Sequence, residues 1–132
     1  MPSLIKGCES KLSQKPRKVF VFGSNLAGRH GAGAAKDAFL FHGAKYGIGE
    51  GLRGDSYALP TMDAQITPLP LPRIKEYIDR FLLFANANPT LIFKVTRVGC
   101  GRAGYDEKQI APFFKEAPKN CRLPQGWRTI DA

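Results

Sequence analysis

No stretch of the chain is apolar for the roughly 20 residues that a membrane-crossing helix needs, and no charged start leads into an apolar signal segment. The expectation is a soluble, cytoplasmic protein without a membrane partner. Cysteine is scarce: Cys8, Cys100 and Cys121 are widely spaced and form no C-x-x-C pair. An odd, scattered set supplies neither a disulfide framework nor a zinc site and suits a reducing compartment. Two histidines add nothing to a metal case, so neither a metal nor a cofactor is expected. A G-x-S-x-G elbow, a Walker lysine loop and a pair of carboxylates at catalytic spacing are all missing, and with them the chemistries those signatures carry.

Acidic residues are also few, which leaves a formal net charge of +9. The first eighteen residues hold Lys6, Lys11, Lys15, Arg17 and Lys18 against Glu9 alone. Nearly half of the excess therefore sits in a short segment. Residues 1–17 read as a basic, disordered N-terminal arm, and residues 18–132 as a single domain. A basic arm can grip nucleic-acid phosphates, but solubilising tails of this kind are common, and the second reading is the simpler one.

Along the domain, Lys18 to Phe22 is apolar on both alternating faces, as in a strand buried on both sides of a sheet. Gly33 to Ala44 reads as a helix with Ala35, Ala38, Phe39 and His42 inward. Tyr46 to Gly54, dense in glycine, reads as a surface loop that is neither helix nor strand. Ser56 to Pro60 is a short second strand, and Thr61 to Pro72 a proline-studded connection. Ile74, Tyr77, Ile78, Phe81, Leu82 and Ala85 then recur at the spacing of an amphipathic helix. A strand from Leu91 to Val98, a helix capped by Asp106 and disturbed by Pro112, and a short strand at Cys121 to Leu123 complete the pattern. Tyr57, Phe81, Phe113 and Phe114 read as core. Alternating strands and helices predict an α/β domain, three-layer α/β/α, with a mixed, largely parallel sheet.

Two loops interrupt this alternation with unusually bare backbone. The first, FGSNLAGRHGAGAA, follows the first strand and opens the first helix; the second, VGCGRAGY, follows the strand at 91–98. In parallel sheets ligands bind beyond the carboxyl ends of the strands, where both loops fall. A helix start exposes unpaired amides and partial positive charge, and a glycine there lets a phosphate approach the backbone. The second loop is a literal G-x-G-x-x-G, but a dinucleotide-binding Rossmann unit also wants an acid about 20 residues later. The stretch Asn120 to Gln125 contains none, which excludes that reading. The candidate ligand-binding residues are Gly23, Ser24, Asn25, Gly28, Gly31, Ala32 and Gly33 with Gly99, Cys100, Gly101, Arg102, Ala103, Gly104 and Tyr105. Arg97 and Arg102 are placed to neutralise a diphosphate. Asn25, His30 and Asp63 are the candidates for catalysis. Cys100, near a helix start, is a weaker nucleophile candidate.

The segments FGSNLAG-x-HGAGAA, GEGL-x-G-x-SYALPT and VTRVGCGRAGY resemble, from Lys18 to Trp127, a family of small phage and bacterial proteins of macro-domain type. That resemblance implies a shortened macro-domain-like fold that binds ADP-ribose or a related NAD-derived nucleotide. It implies that Asn25 contacts the distal ribose, that Gly31 and Gly33 meet ribose and phosphate, and that Gly99, Gly101, Arg102, Ala103 and Gly104 wrap the diphosphate beside Tyr105. Macro domains also carry an acid near their start that reads the adenine; the only upstream acid here is Glu9. If the protein is an enzyme, hydrolysis of an ADP-ribosyl linkage is the expected reaction. A nucleic-acid-binding protein using the arm, or a non-enzymatic inhibitor or sequestering protein, are the alternatives.

Overall fold

A computed structural model describes residues 17–129; the proposed arm, apart from Arg17, lies outside the described residues. Arg17 itself belongs to the first strand. The order of elements is β1 (Arg17–Asn25), α1 (Gly33–Phe41), β2 (Gly51–Arg53), β3 (Ser56–Met62), α2 (Leu71–Ala87), β4 (Leu91–Val95), α3 (Glu107–Ile110) and β5 (Cys121–Arg122). Two 3₁₀ turns, Ala111–Phe114 and Trp127–Thr129, follow α3 and β5. The five strands form one sheet in the order β2-β3-β1-β4-β5. All neighbours are parallel except the antiparallel β2–β3 pair, which gives the mixed, largely parallel sheet of a three-layer α/β/α domain.

The central strand explains the layering. Along β1, Val19 and Val21 enter the larger core with Tyr57, Leu59, Phe93 and Val95, whereas Phe22, with Phe20 packed beside it, joins Ala38, Ala44 and Ala58 in a smaller one. Successive side chains on a strand face opposite ways, so a sheet covered on both faces needs this double apolar alternation. Helix α2 covers the larger core with Ile74, Tyr77, Ile78, Phe81, Leu82 and Ala85, all buried. The ring of Phe81 meets those of Tyr57, Phe93 and Phe114 at centroid separations of 5.0, 5.3 and 6.4 Å. Burying one such side chain stabilises the fold by about 1.5–3 kcal/mol. Asn120 secures the end of α2 to the start of β4: its Nδ2 lies 3.1 Å from the carbonyls of Ala85, Asn88 and Leu91.

Several expected boundaries move. The stretch Tyr46 to Gly54 is not wholly loop, because Gly51–Arg53 pairs with β3 as an edge strand. Helix α1 ends at Phe41 rather than Ala44. Gly43 adopts φ +81 and packs so tightly on Gly54 that a Cβ would come within 2.9 Å of the Gly54 Cα. Phe39 is exposed and meets Tyr46 edge-on instead of facing inward. Strand β4 stops at Val95, after which the Thr96 hydroxyl donates to the Val21 carbonyl at 2.7 Å. The helix capped by Asp106 lasts a single turn and tightens into the 3₁₀ turn at Pro112, which has no N–H for an α-helical bond. Among the described residues no helix is long and apolar enough to cross a membrane, and no three metal-ligating side chains cluster.

Candidate functional site

Strands β3, β1 and β4 run in the same direction side by side, so the connections leaving them share one edge of the sheet. A cavity of about 810 Å³ opens there, lined by Gly23, Asn25 and Gly31 to Ala35 from the first loop and Arg97 to Ala103 from the second. The two bare segments therefore face one space. A Cβ added to Gly23 would sit 3.5 Å from the Gly99 nitrogen, which is how closely the second loop is drawn to the end of β1.

Each loop is fixed by its own bonds. Asn25, buried at the end of β1, donates from Nδ2 to the Arg29 carbonyl at 2.8 Å and accepts the Arg29 amide on Oδ1 at 3.0 Å. The Ser24 hydroxyl donates to the Gly49 carbonyl, so this side chain anchors the loop from behind. In the second loop the Cys100 amide donates to Arg97, the Gly104 amide to Gly101 and the Tyr105 amide to Gly99, at 3.1, 3.0 and 2.9 Å. Backbone amides of residues that line the cavity are left over. Among the described residues, those of Gly31, Ala32 and Gly33 and those of Gly101, Arg102 and Ala103 donate to no protein acceptor. Helix α1 has no side-chain cap and no acid in its first turn, so the amides of its first turn are also unpaired and its dipole is uncompensated.

The glycines divide by cause. Gly28 (φ +72) lies under the Tyr46–Ile48 segment, where a Cβ would come within 2.7 Å of the Gly47 nitrogen. Gly99 (φ +78) is pressed against Ile110, 3.0 Å from a Cβ to its Cδ1. Both are demanded by the fold. Gly31 and Gly101 are not: neither has a positive φ, and a Cβ on either would meet nothing within 4 Å. Packing does not require a glycine at either position, and both line the cavity.

Charge around the cavity is unbalanced. Arg29, Arg97 and Arg102 line it against one carboxylate, Glu107. Arg97 Nη1 and Trp127 Nε1 both donate to Glu107 Oε1 at 2.6 Å. Arg29 and Arg102 are exposed, and among the described residues their guanidinium groups have no partner. Burial, with the Glu107 carboxylate adding to it, pushes the Cys100 thiol up to about 11 despite Arg97. The expected activation by a helix start is thus reversed, and the thiol stays protonated at neutral pH.

Six sequence candidates lie outside the lining. Ser24 and Gly28 support the first loop as described. His30 is fully buried, not solvent-facing; its Nε2 is 2.8 Å from the Lys45 carbonyl and its Nδ1 has no hydrogen-bond partner. Its ring packs between Phe22 and Tyr46. Asp63 spends its carboxylate on the amides of Gln65 and Thr67 at 2.9 and 3.0 Å. Gly104 closes the turn of the second loop at φ +81, and the Tyr105 hydroxyl donates to the Leu69 carbonyl at 2.6 Å. Of Asn25, His30 and Asp63 only Asn25 reaches the cavity, which Cys100, the weaker nucleophile candidate, also lines. Conversely, Arg29, Thr61, Met62, Ile66, Thr96 and Glu107 line it without having been singled out. Arg29 stood inside the first glycine motif and Glu107 directly after a recognisable cap, so both had a local signal; Ile66 had none. No protein-family model matches the chain, and neither does any curated protein or solved structure.

Proposed function

We propose that the cavity binds ADP-ribose or a related NAD-derived nucleotide, with the diphosphate held between the two glycine loops. The observation that carries this reading is the pair Gly31 and Gly101: both line the cavity, and neither the fold nor the backbone conformation requires a glycine there. Removing a Cβ lets an anion reach the amides behind it. Unpaired amides on both sides, together with the start of α1, supply donors for phosphate oxygens. The excess of two guanidinium groups over carboxylate at the rim matches the two negative charges of a diphosphate ester, and Arg29 and Arg102 are the groups left unpaired to meet them.

The volume of about 810 Å³ lies inside the range of roughly 300–1,000 Å³ usual for small-molecule and cofactor sites. It leaves room for sugars beyond the phosphates. Glu107, oriented through one oxygen by Arg97 and Trp127, offers the other to a ribose hydroxyl or an exocyclic amine. The resemblance of the two loops to those of macro domains selects ADP-ribose among diphosphate ligands. Binding is supported better than turnover. The Cys100 thiol is held protonated, and His30 and Asp63 are committed away from the cavity. A hydrolytic step would then depend on Asn25, the ligand's own phosphates and a bound water.

Titration calorimetry of the folded chain with ADP-ribose, NAD and pyrophosphate tests the reading. Saturable heat with ADP-ribose is expected; no heat with any of the three overturns it. Incubation with an ADP-ribosylated peptide, followed by mass spectrometry, separates a reader from a hydrolase.

A further inference from the structure

Ile66 lines the cavity in a conformation that its own chemistry opposes. It is the one non-glycine residue with positive φ among the described residues, at φ 61. A β-branched side chain is an outlier in the left-handed region, where Cβ crowds the following carbonyl. The surrounding turn holds it there. The Asp63 carboxylate accepts the Gln65 and Thr67 amides at 2.9 and 3.0 Å. The Asp63 amide donates to the Thr67 carbonyl at 2.8 Å, and the Ile66 amide to the Asp63 carbonyl at 3.1 Å. None of these bonds uses the isoleucine side chain, so glycine or asparagine would close the same turn with less strain.

Nor does the side chain serve a core. Ile66 belongs to neither hydrophobic cluster. It is half-buried, and its place is on the cavity wall with Met62, at the end of β3. The sheet order β3-β1-β4 puts this turn on one flank of the cavity and the loop carrying Arg97 and Arg102 on the other. One flank is thus cationic and rich in amide donors, while the other presents Met62 and Ile66 beside Thr61. Strain kept at a ligand-facing position without benefit to the fold indicates that the side chain acts on the ligand.

We propose that Ile66 is a specificity-determining residue whose side chain forms the apolar wall against which the nucleobase of a nucleotide packs, while the diphosphate lies between the glycine loops. This rests on the nucleotide reading of the cavity and adds to it which part of the ligand the β3 flank recognises.

Ile66→Gly and Ile66→Asn in the full chain test it, each measured for Tm and for binding of ADP-ribose and of pyrophosphate, which lacks the base. The expected result is an unchanged or raised Tm in both variants. ADP-ribose should bind about tenfold more weakly, as loss of one aliphatic contact surface implies, and pyrophosphate as it does to the wild type. Unchanged ADP-ribose affinity in both variants overturns the inference, as does an equal loss for pyrophosphate, which would mean that the turn and not the side chain matters. A Tm lowered in both variants overturns it too, by giving the side chain a structural role. If the wild type binds pyrophosphate but ADP-ribose no better, the base wall is refuted while the phosphate site stands; if it binds neither, both fail.

Discussion

A Cβ built on Gly31 or Gly101 meets open space, whereas one on Gly28 would overlap the Gly47–Ile48 backbone. The three alanine variants should therefore separate folding from binding. At Gly31 and Gly101 φ is outside the left-handed region and a Cβ has room, so alanine restricts mainly the unfolded chain. A gain of about 0.4–1 kcal/mol in stability is expected. At Gly28 the left-handed conformation alone costs an alanine about 1–2 kcal/mol, and the overlap with backbone atoms adds to it because that segment is tied down by the Gly47 amide bonded to the Gly28 carbonyl at 3.0 Å. Binding should respond in the opposite order. A methyl group at Gly31 or Gly101 holds a phosphate oxygen off the amide behind it, and a hydrogen bond to a charged group is worth about 1.5–3 kcal/mol. That corresponds to a loss of affinity of about 10- to 150-fold. Urea denaturation and calorimetry with ADP-ribose on the same samples give both quantities. Wild-type affinity in Gly31→Ala and Gly101→Ala, with stability as expected, would show that the bare backbone has nothing to do with a ligand.

Arg29→Ala and Arg102→Ala should each weaken ADP-ribose binding and flatten its dependence on salt, with Tm almost unchanged; calorimetry at two ionic strengths reads both effects. Asn120→Ala removes the part-buried amide that ties α2 to β4, while the Ala85 and Asn88 carbonyls keep their backbone donors, so a loss of about 0.5–1.5 kcal/mol is expected by denaturation. Phe81→Ala opens the larger core beneath three aromatic rings and should cost about 3–5 kcal/mol in the same assay. Burial raises Cys100 and Cys121 to about 11 and Tyr57 to about 12. The folded state then keeps protons that the unfolded state releases, so stability should be flat at neutral pH and decline as pH rises from about 9 towards 12. Denaturant midpoints across that interval check the sign.

Much of the architecture was readable because it rests on periodicity. The doubly apolar β1 and the i, i+3, i+4 pattern of α2 each have one physical explanation, and both stand in the structure. The places where reading failed depend on distant partners. Gly51–Arg53 becomes a strand only because β3 lies beside it, and no local propensity in YGIGEGLRG reveals an edge strand. Phe39 has the spacing of an inward residue, yet α1 is short and its apolar neighbour is Tyr46. In the candidate site, loop glycines were visible as a group but not as individuals. Those made necessary by packing, such as Gly28 and Gly99, look the same in sequence as those that face open space. The burial of His30 was hidden for a similar reason: nothing near it in the chain announces the ring pocket formed by Phe22 and Tyr46.

Trp127 is the only tryptophan in the chain, is almost fully enclosed, and bonds through its indole N–H to the same Glu107 oxygen that holds Arg97 at the cavity wall. Any solute that draws Glu107 or Arg97 towards itself must alter the indole's surroundings. Intrinsic fluorescence thus offers a label-free readout of occupancy, emitted from a single known position bonded to a side chain of the cavity wall.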